Sequence, residues 1–344
     1  MKKYLLGGKG NFYKANLHCH TVVSDGRLTA KEVKDLYKSA GYSVLAFTDH
    51  GVIVPHTELT DENFVAITAY EASVNAPRPD YLLDNLEYLK TYHLNFYAKD
   101  PSCDWSPCFH EKCLWLEHMK NYVSPNQKKI SFPIEYSVKC VNDMLNKAKE
   151  FGFLVCFNHP VWSEQSYPDY IDLKGLWGIE TYNHGSAIEG YVDTDAPFDN
   201  LLKKGNCIVP IASDDMHKSY EAFGGFSMIE SENLDYRSVF RAMEEKRLYS
   251  STGPLIQELS IDGNELTVRC SEAVAIYLNS ERRWEKVAFG DGITEAVFDI
   301  SGWMKGNVLT TYNKTKVDEP FLRLTIVDKQ GKKAWTRGYF KSDL

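Results

Sequence analysis

Short, continuously apolar runs recur through the first 250 residues, and segments with helical periodicity separate them. The runs at residues 43–47, 64–67 and 153–157 each lie near a histidine or an acidic residue. A strand that is apolar on both faces must be buried on both faces, which is typical of parallel sheets covered by helices. Residues 29–40 and 138–151 carry apolar side chains at helical spacing. The alternation therefore predicts an α/β fold built on a parallel sheet or barrel.

The same alternation continues as a strand at 178–181, a helix at 197–204, a strand at 207–211 and a helix at 234–246. After the linker-like residues 250–254 the pattern changes to alternating segments, at 255–261, 266–270, 274–278, 296–300 and 321–327. Such segments predict a small antiparallel β-sandwich. We therefore predict two domains, at residues 1–254 and 255–344.

Residues 76–135 fit neither pattern, because six prolines interrupt them. These are Pro77, Pro79, Pro101, Pro107, Pro125 and Pro133. Most of this range is interpreted as an insertion on the first domain. Loops at the mouth of a barrel often carry function, so a role as a lid or a substrate-facing wall is one interpretation.

Charge and composition exclude some classes of function. The net charge of −8 gives no basic surface for gripping a long nucleic acid, although a short nucleotide remains compatible. The hydrophobic content of 43% is that of a globular protein that buries a full core. No run is long and apolar enough for a membrane span or a signal segment, so a cytoplasmic location is expected, with no membrane and no protein partner implied.

Three of the eight cysteines, Cys103, Cys108 and Cys113, are evenly spaced within the proline-rich range. Their spacing lacks the CxxC step of zinc knuckles. Ordinary loop thiols are therefore favoured over a structural metal site.

The strongest local motif is His18-Cys19-His20. Residues two apart in a strand point the same way, so both imidazoles can face one metal ion. Further candidate ligands lie at or near successive predicted strand ends: Asp25, His50, Glu71, His93, His159, Asp215 and His217. In a barrel these positions converge on the mouth at the carboxyl ends of the strands, where barrel enzymes place their active sites.

These motifs closely resemble those of the PHP (polymerase and histidinol phosphatase) superfamily of metal-dependent phosphoesterases. The resemblance covers about residues 14–254 and includes HxH at His18 and His20, the Thr48-Asp49-His50 motif, His159 after a strand, and DxH at Asp215 and His217. It implies a distorted (β/α)7 barrel that holds two or three ions of zinc, manganese or iron. The trailing sandwich is similar to that of two-domain bacterial members.

Carried over by motif, the resemblance implies one ion held by His18, His20, Glu71 and Asp215. Glu71 would bridge to a second ion held by His93 and His159, and a third ion would use Asp25, His50 and His217. Asp25 stands where some members have a histidine, and Asp214 is an alternative to Asp215.

The expected mechanism is attack on phosphorus by a hydroxide that bridges the ions. His56, His184 or metal-bound water is the candidate general acid, and Asp49 is expected to orient His50 or a loop. Arg27 and Lys218 are candidate phosphate contacts, while Glu180 and Asn183 are candidates for the mouth of the site. Tyr182 and Trp162 are either core residues or stacking surfaces for a flat group.

The leading functional hypothesis is a phosphatase or phosphodiesterase that acts on a small phosphorylated metabolite, nucleotide or sugar. Hydrolysis of a carboxylic ester, carbamate or amide is the first alternative, because a fold cannot separate these reactions. A non-enzymatic, metal-stabilised scaffold is the second. For the C-terminal domain, Trp284, Trp303 and Trp335 suit either glycan binding or core packing, and packing is favoured.

Overall fold

The computed structural model describes residues 2–77, 90–191, 194–281, 286–305 and 320–344. Within them the strands are β1 (Lys3–Leu6), β2 (Asn11–Asn16), β3 (Val44–Phe47), β4 (Val65–Asn75), β5 (Thr91–Ala98), β6 (Phe153–Phe157), β7 (Gly178–Asn183), β8 (Val209–Ser213), β9 (Phe226–Ser231), β10 (Leu248–Ser251), β11 (Ile256–Asp262), β12 (Glu265–Ser280), β13 (Lys286–Asp299), β14 (Phe321–Val327), β15 (Lys333–Thr336) and β16 (Tyr339–Phe340). The helices are α1 (Ala30–Ser39), α2 (Val138–Glu150), α3 (Tyr167–Tyr170), α4 (His184–Ile188), α5 (Ala196–Lys203), α6 (Tyr236–Glu244) and α7 (Ser301–Lys305).

One hydrogen-bonded network joins these strands, and its central part runs β2-β3-β4-β5-β6-β7-β8. Neighbours in this part are parallel except for β5, which is antiparallel to both β4 and β6. From β2 the network continues through β9 and β10 into the C-terminal strands. The predicted mixed α/β class is confirmed.

The residues that follow β2 meet the residues that follow β8. The backbone N–H of His20 donates to the carbonyl of Met216 at 2.9 Å, and that of Asp215 donates to the carbonyl of His18, also at 2.9 Å. Cys19 and Met216 form a parallel bridge between the two segments. The first and last strands of the central part are therefore joined at their carboxyl ends.

Helix positions follow from capping and from one apolar face. Thr29 caps α1 in a reciprocal box with Glu32, and Val33 and Tyr37 are the buried face of that helix. Ser137 caps α2, and the buried residues of α2 and of α5 belong to the same core cluster as residues of the sheet. Observed bounds for α1, α2, α5 and α6 differ from the predicted ranges by at most two residues at each end.

Three sequence interpretations were wrong in detail. The range 76–135 is not one insertion, because β5 lies inside it between two central strands. The segments predicted at 266–270 and 274–278 are a single strand, β12, in which a register shift between Arg269 and Ala273 lets the pairing with β13 continue. The short helix α7 lies in a region predicted to contain only strands.

The C-terminal strands share partners with the N-terminal part of the chain. β1 pairs with β11, and β10 pairs with β15. Trp303 and Trp335 are buried at 9% and 4% exposure, and their ring N–H groups donate to Glu281 and Asp195. Both therefore pack internally, whereas Trp284 and residues 78–89 of the proline-rich range lie outside the described residues. Among the described helices, none has the length and apolar character to traverse a membrane.

A buried arginine ties β14 to α5. Arg323 is 2% exposed, and its guanidinium donates to both oxygens of Asp199 at 2.6 and 2.9 Å and to Asp195 at 3.0 Å. It also lies over the ring of Phe198, with its central carbon 5.6 Å from the ring centroid. This bidentate, charge-assisted contact fixes the C-terminal strands to the preceding part of the chain.

We expect Arg323→Ala to lower the free energy of unfolding by about 2–4 kcal/mol, because it leaves two partly buried carboxylates without their cationic partner and removes the packing on Phe198. Urea denaturation followed by circular dichroism measures the change. Arg269 pairs with Glu295 at 2.7 Å but is half exposed, so Arg269→Ala is the matched control, with an expected loss of about 0–1 kcal/mol. Equal losses in the two variants would contradict this account of Arg323.

Candidate metal centre

The nine predicted ligands converge at one edge of the central strands. Six of them follow strands: His18 and His20 follow β2, His50 follows β3, His159 follows β6, and Asp215 and His217 follow β8. Glu71 lies within β4 and His93 within β5, and Asp25 lies in the loop after the first histidine motif. Glu71 was expected at the end of its strand. It lies instead where β4 changes from parallel pairing with β3 to antiparallel pairing with β5.

Glu71 is the centre of this cluster. Its side chain is almost fully buried, and its oxygens lie 3.0 to 3.5 Å from ring nitrogens of five histidines: His18, His20, His50, His93 and His159. The amide of Asn158 donates to Glu71 Oε1 at 2.7 Å. One carboxylate thus contacts side chains from the ends of three strands, β2, β3 and β6, and from within β5.

Two further carboxylates complete the cluster. Asp215 Oδ1 lies 3.1 Å from His18 Nε2 and 3.0 Å from His20 Nε2. Asp25 Oδ2 lies 3.3 Å from His217 Nε2 and 3.7 Å from His50 Nε2. Asp215 and His159 have positive φ angles, of 53° and 24°, which are uncommon outside glycine and occur often at functional sites.

The side chains form four overlapping groups, in each of which the potential ligand atoms lie within 4.8 Å of one another. The groups are His20, Asp25, His50 and His217; His18, His20 and Asp215; His18, Glu71 and His159; and His50, Glu71 and His93. This grouping differs from the predicted one, since it places His93 with His50 and His159 with His18. All nine predicted residues belong to at least one group.

Outer hydrogen bonds orient three of the imidazoles. His18 Nδ1 donates to Glu180 at 2.8 Å, and His217 Nδ1 donates to the carbonyl of Asp215 at 2.9 Å. His159 Nδ1 lies 3.1 Å from the hydroxyl of Ser163. In each ring the other nitrogen, Nε2, faces the carboxylates of the cluster. Histidine ligands of metals typically show this division between the two nitrogens.

Burial and mutual charge shift the pKa values of the cluster in opposite directions. Burial and the positive charges of His217 and His50 lower the pKa of His20 to about 4. Burial also disfavours charge on His217, but the contact with Asp25 and the charge of Asp215 outweigh it and raise its pKa to about 10. Burial opposes the charge on Glu71, yet the surrounding histidines hold its pKa well below the usual range. The carboxylates are therefore anionic at neutral pH.

The structure distinguishes Asp215 from its neighbour Asp214. Asp214 is buried, and it accepts the backbone N–H groups of Phe223, Gly224 and Gly225 and the hydroxyl of Tyr37. Its oxygens are thus used in holding the loop after β8, whereas Asp215 faces the histidines.

Asp49 holds the loop that follows the first histidine motif. It accepts hydrogen bonds from the backbone N–H and hydroxyl of both Thr21 and Ser24, at 2.7 to 3.2 Å. These bonds fix the loop that carries Asp25, so Asp49 orients a loop beside the cluster.

Glu180 and Asn183 were expected to line the mouth, and their positions correct that expectation. Both are buried. Glu180 accepts from His18 and from the backbone N–H of His159 at 2.9 Å, and the Asn183 amide donates to Glu180 at 2.8 Å and to Asp215 at 3.3 Å. They lie behind the candidate ligands and orient them.

The remaining candidates lie around the cluster. Arg27 and Lys218 are exposed, and the Arg27 backbone N–H donates to the carbonyl of His217 at 2.9 Å. His184 Nδ1 lies 2.8 Å from the hydroxyl of Tyr182. His56 packs edge-on against Phe47, and its Nε2 is buried without a hydrogen-bond partner.

Sequence reasoning missed two residues from the range 99–135. The indole of Trp115 lies 5.7 Å from the ring of His50 between centroids, and His118 Nε2 lies 2.8 Å from the carbonyl of Ser24. Neither has a motif or a periodic neighbour that would identify it. The three evenly spaced cysteines, Cys103, Cys108 and Cys113, are free thiols, and each contacts a different backbone carbonyl. Among the described residues, none of the side-chain groups that could hold a metal ion includes them.

We expect Glu180→Gln to weaken divalent metal binding by about 10- to 100-fold, because His18 would lose the anionic partner that orients its ring. Isothermal titration with Mn²⁺ and Zn²⁺ measures the affinity, and circular dichroism checks the fold. Glu230→Gln is a matched control, since Glu230 is equally buried but accepts from the backbone of Lys9. Unchanged affinity in Glu180→Gln would refute the orienting role.

The adjacent aspartates are expected to separate metal binding from stability. Asp215→Asn should lower metal affinity by at least about tenfold, whereas Asp214→Asn should retain binding and lose about 1–3 kcal/mol of stability, because an amide cannot accept all the N–H donors that surround Asp214. Metal titration and urea denaturation of both variants test this. If Asp214→Asn lost metal affinity while Asp215→Asn retained it, Asp214 would be the ligand.

No family model and no curated protein matches the chain. Among solved structures, a two-domain protein of Bacteroides vulgatus described as containing a predicted PHP-like metal-dependent phosphoesterase is 13% identical, with a TM-score of 0.44 and coverage of 98% of both chains. A putative metal-dependent phosphoesterase of Bifidobacterium adolescentis is 16% identical, with a TM-score of 0.38 and coverage of 62% of this chain and 89% of the other. An amidohydrolase of Chromobacterium violaceum is 17% identical, with a TM-score of 0.40 and coverage of 68% and 96%. The motifs of this chain resemble those of the PHP superfamily, and two of the solved structures to which it is similar are described as metal-dependent phosphoesterases.

Proposed function

We propose that this protein is a metal-dependent phosphoesterase that holds two or three divalent ions in the cluster around Glu71. The observation that supports it best is the division of roles among the imidazole nitrogens. In His18, His159 and His217, Nδ1 contacts an outer group while Nε2 faces anionic oxygens. A cluster that served packing alone would have no need to keep these Nε2 atoms directed at carboxylates.

Buried atoms without hydrogen-bond partners support the proposed cation site. Among the described residues, His20 Nδ1, His50 Nδ1 and Glu71 Oε2 are buried and make no hydrogen bond. His50 Nδ1 and Glu71 Oε2 are only 3.0 Å apart, but they are not aligned for one. Buried polar atoms of this kind are costly unless they are paired or coordinate a metal. Mixed imidazole and carboxylate donors suit zinc, manganese or iron.

When bound, such ions supply activation of water near neutral pH and neutralise charge on a phosphoryl group. The chain supplies the remaining functions. Arg27 and Lys218 are exposed beside His217, and they lie close enough for their charges to interact. Two cations at this rim favour a phosphate with more than one negative charge. His56 and His184 stay candidates for protonating the leaving group.

We further propose that β2 to β8 form the distorted (β/α)7 barrel that the motifs imply. The hydrogen bonds between the segments after β2 and β8 support closure at the mouth. The proposed boundary at residue 254 and the C-terminal sandwich are supported by the purely antiparallel pairing among β11, β12, β13 and β14. The pairing of β1 with β11 means that the first residues of the chain contribute to the C-terminal sheet.

The test is hydrolysis of phosphate monoesters and diesters by protein loaded separately with manganese, zinc and iron. We expect turnover that falls at least about 100-fold in His18→Ala, since that ring belongs to two of the four ligand groups. His110→Ala is a matched control, because His110 lies outside those groups and caps a short turn. If the metal-loaded protein does not hydrolyse phosphate esters but cleaves carboxylic esters, carbamates or amides, the alternative function is favoured. If none of these substrates is hydrolysed, a non-enzymatic, metal-stabilised scaffold is favoured.

A further inference from the structure

A large indole lies uncovered beside the metal centre. Trp115 is 58% exposed, although its ring centroid is only 5.7 Å from that of His50. The two rings meet at 67°, so they do not cover each other face to face. Most of the Trp115 surface is thus accessible next to a ligand candidate.

The segment that carries Trp115 is held on both sides of it. Before it, the carbonyl of Cys113 packs against Gly51, where an added Cβ would come within 2.8 Å of that oxygen. After it, His118 Nε2 lies 2.8 Å from the carbonyl of Ser24, and Met119 is fully buried. These contacts fix the indole beside His50 and leave its surface open.

A second indole borders another part of the cluster. Trp162 lies 5.0 Å from His159 and 5.7 Å from His93 between ring centroids, and its N–H donates to Glu189 at 2.8 Å. His50 and His93 are themselves 5.5 Å apart. The two tryptophans therefore flank neighbouring groups of candidate ligands. The two exposed cations, Arg27 and Lys218, lie beside His217.

We propose that Trp115 is the platform on which the non-phosphoryl part of the substrate stacks, and that this part carries an aromatic ring. The inference rests on the proposed function, which places the phosphoryl group at the metal centre. An ester with its phosphate there and its ring on Trp115 would gain stacking free energy that an open-chain or saturated ester would not. Through Trp115, the segment at residues 99–135 would thus determine that the protein prefers substrates with an aromatic ring.

The test compares benzyl phosphate with cyclohexylmethyl phosphate, which have similar leaving groups and sizes but differ in the flat ring. We expect the wild-type protein to prefer benzyl phosphate. Trp115→Leu should lower kcat/KM for benzyl phosphate by about 5- to 10-fold and for cyclohexylmethyl phosphate by less than about 2-fold. Trp115→Phe should keep most of the preference. Phe289→Leu is the control, because Phe289 is 69% exposed on β13.

Calorimetric binding of benzylphosphonate and cyclohexylmethylphosphonate provides a second readout that requires no turnover. A preference for the flat ring that Trp115→Leu removes supports the platform, even if no phosphate ester is hydrolysed and the proposed function fails. Hydrolysis with no preference, or with equal losses for both rings in Trp115→Leu, overturns the platform and leaves the proposed function in place. Failure of both phosphonates to bind the metal-loaded protein also overturns it.

Discussion

A single buried carboxylate in contact with five imidazoles is the interaction around which this molecule is organised. Glu71 has almost no exposure, so it cannot rely on water for solvation, and its charge must be balanced by neighbouring groups. Those neighbours come from the ends of β2, β3 and β6 and from β5. The site therefore exists only when the central strands are all in register.

The residues that orient the candidate ligands define the geometry of the cluster as much as the candidate ligands do. Glu180 holds His18 from β7, Asn158 holds Glu71 from the end of β6, and Asp49 holds the loop of Asp25. Each of these outer residues comes from a different part of the chain than the group it orients. The geometry of the centre is consequently a property of the whole sheet edge, which is how precise ligand positions are maintained in metal sites.

The sequence was most informative where local chemistry decides the structure. Thr29 and Ser137 start helices because their side chains satisfy free N–H groups. His18 and His20 face the same carboxylate because they flank Cys19, which forms a strand-like bridge with Met216. Long-range arrangement was not predictable in this way. Nothing in the local pattern shows that β5 belongs to the central strands, that Glu180 faces inward, or that Trp115 reaches His50, since each depends on contacts between residues far apart in the chain.

The join between the segments after β2 and β8 also constrains the order of events during synthesis. His20 and Asp215 are neighbours at 3.0 Å but are separated by 195 positions in the chain. The ribosome synthesises the first histidine motif long before it adds Asp215. Contacts between residues so far apart in the sequence form slowly. The nascent chain must therefore keep its earliest histidines without their final anionic partners until translation has passed residue 217.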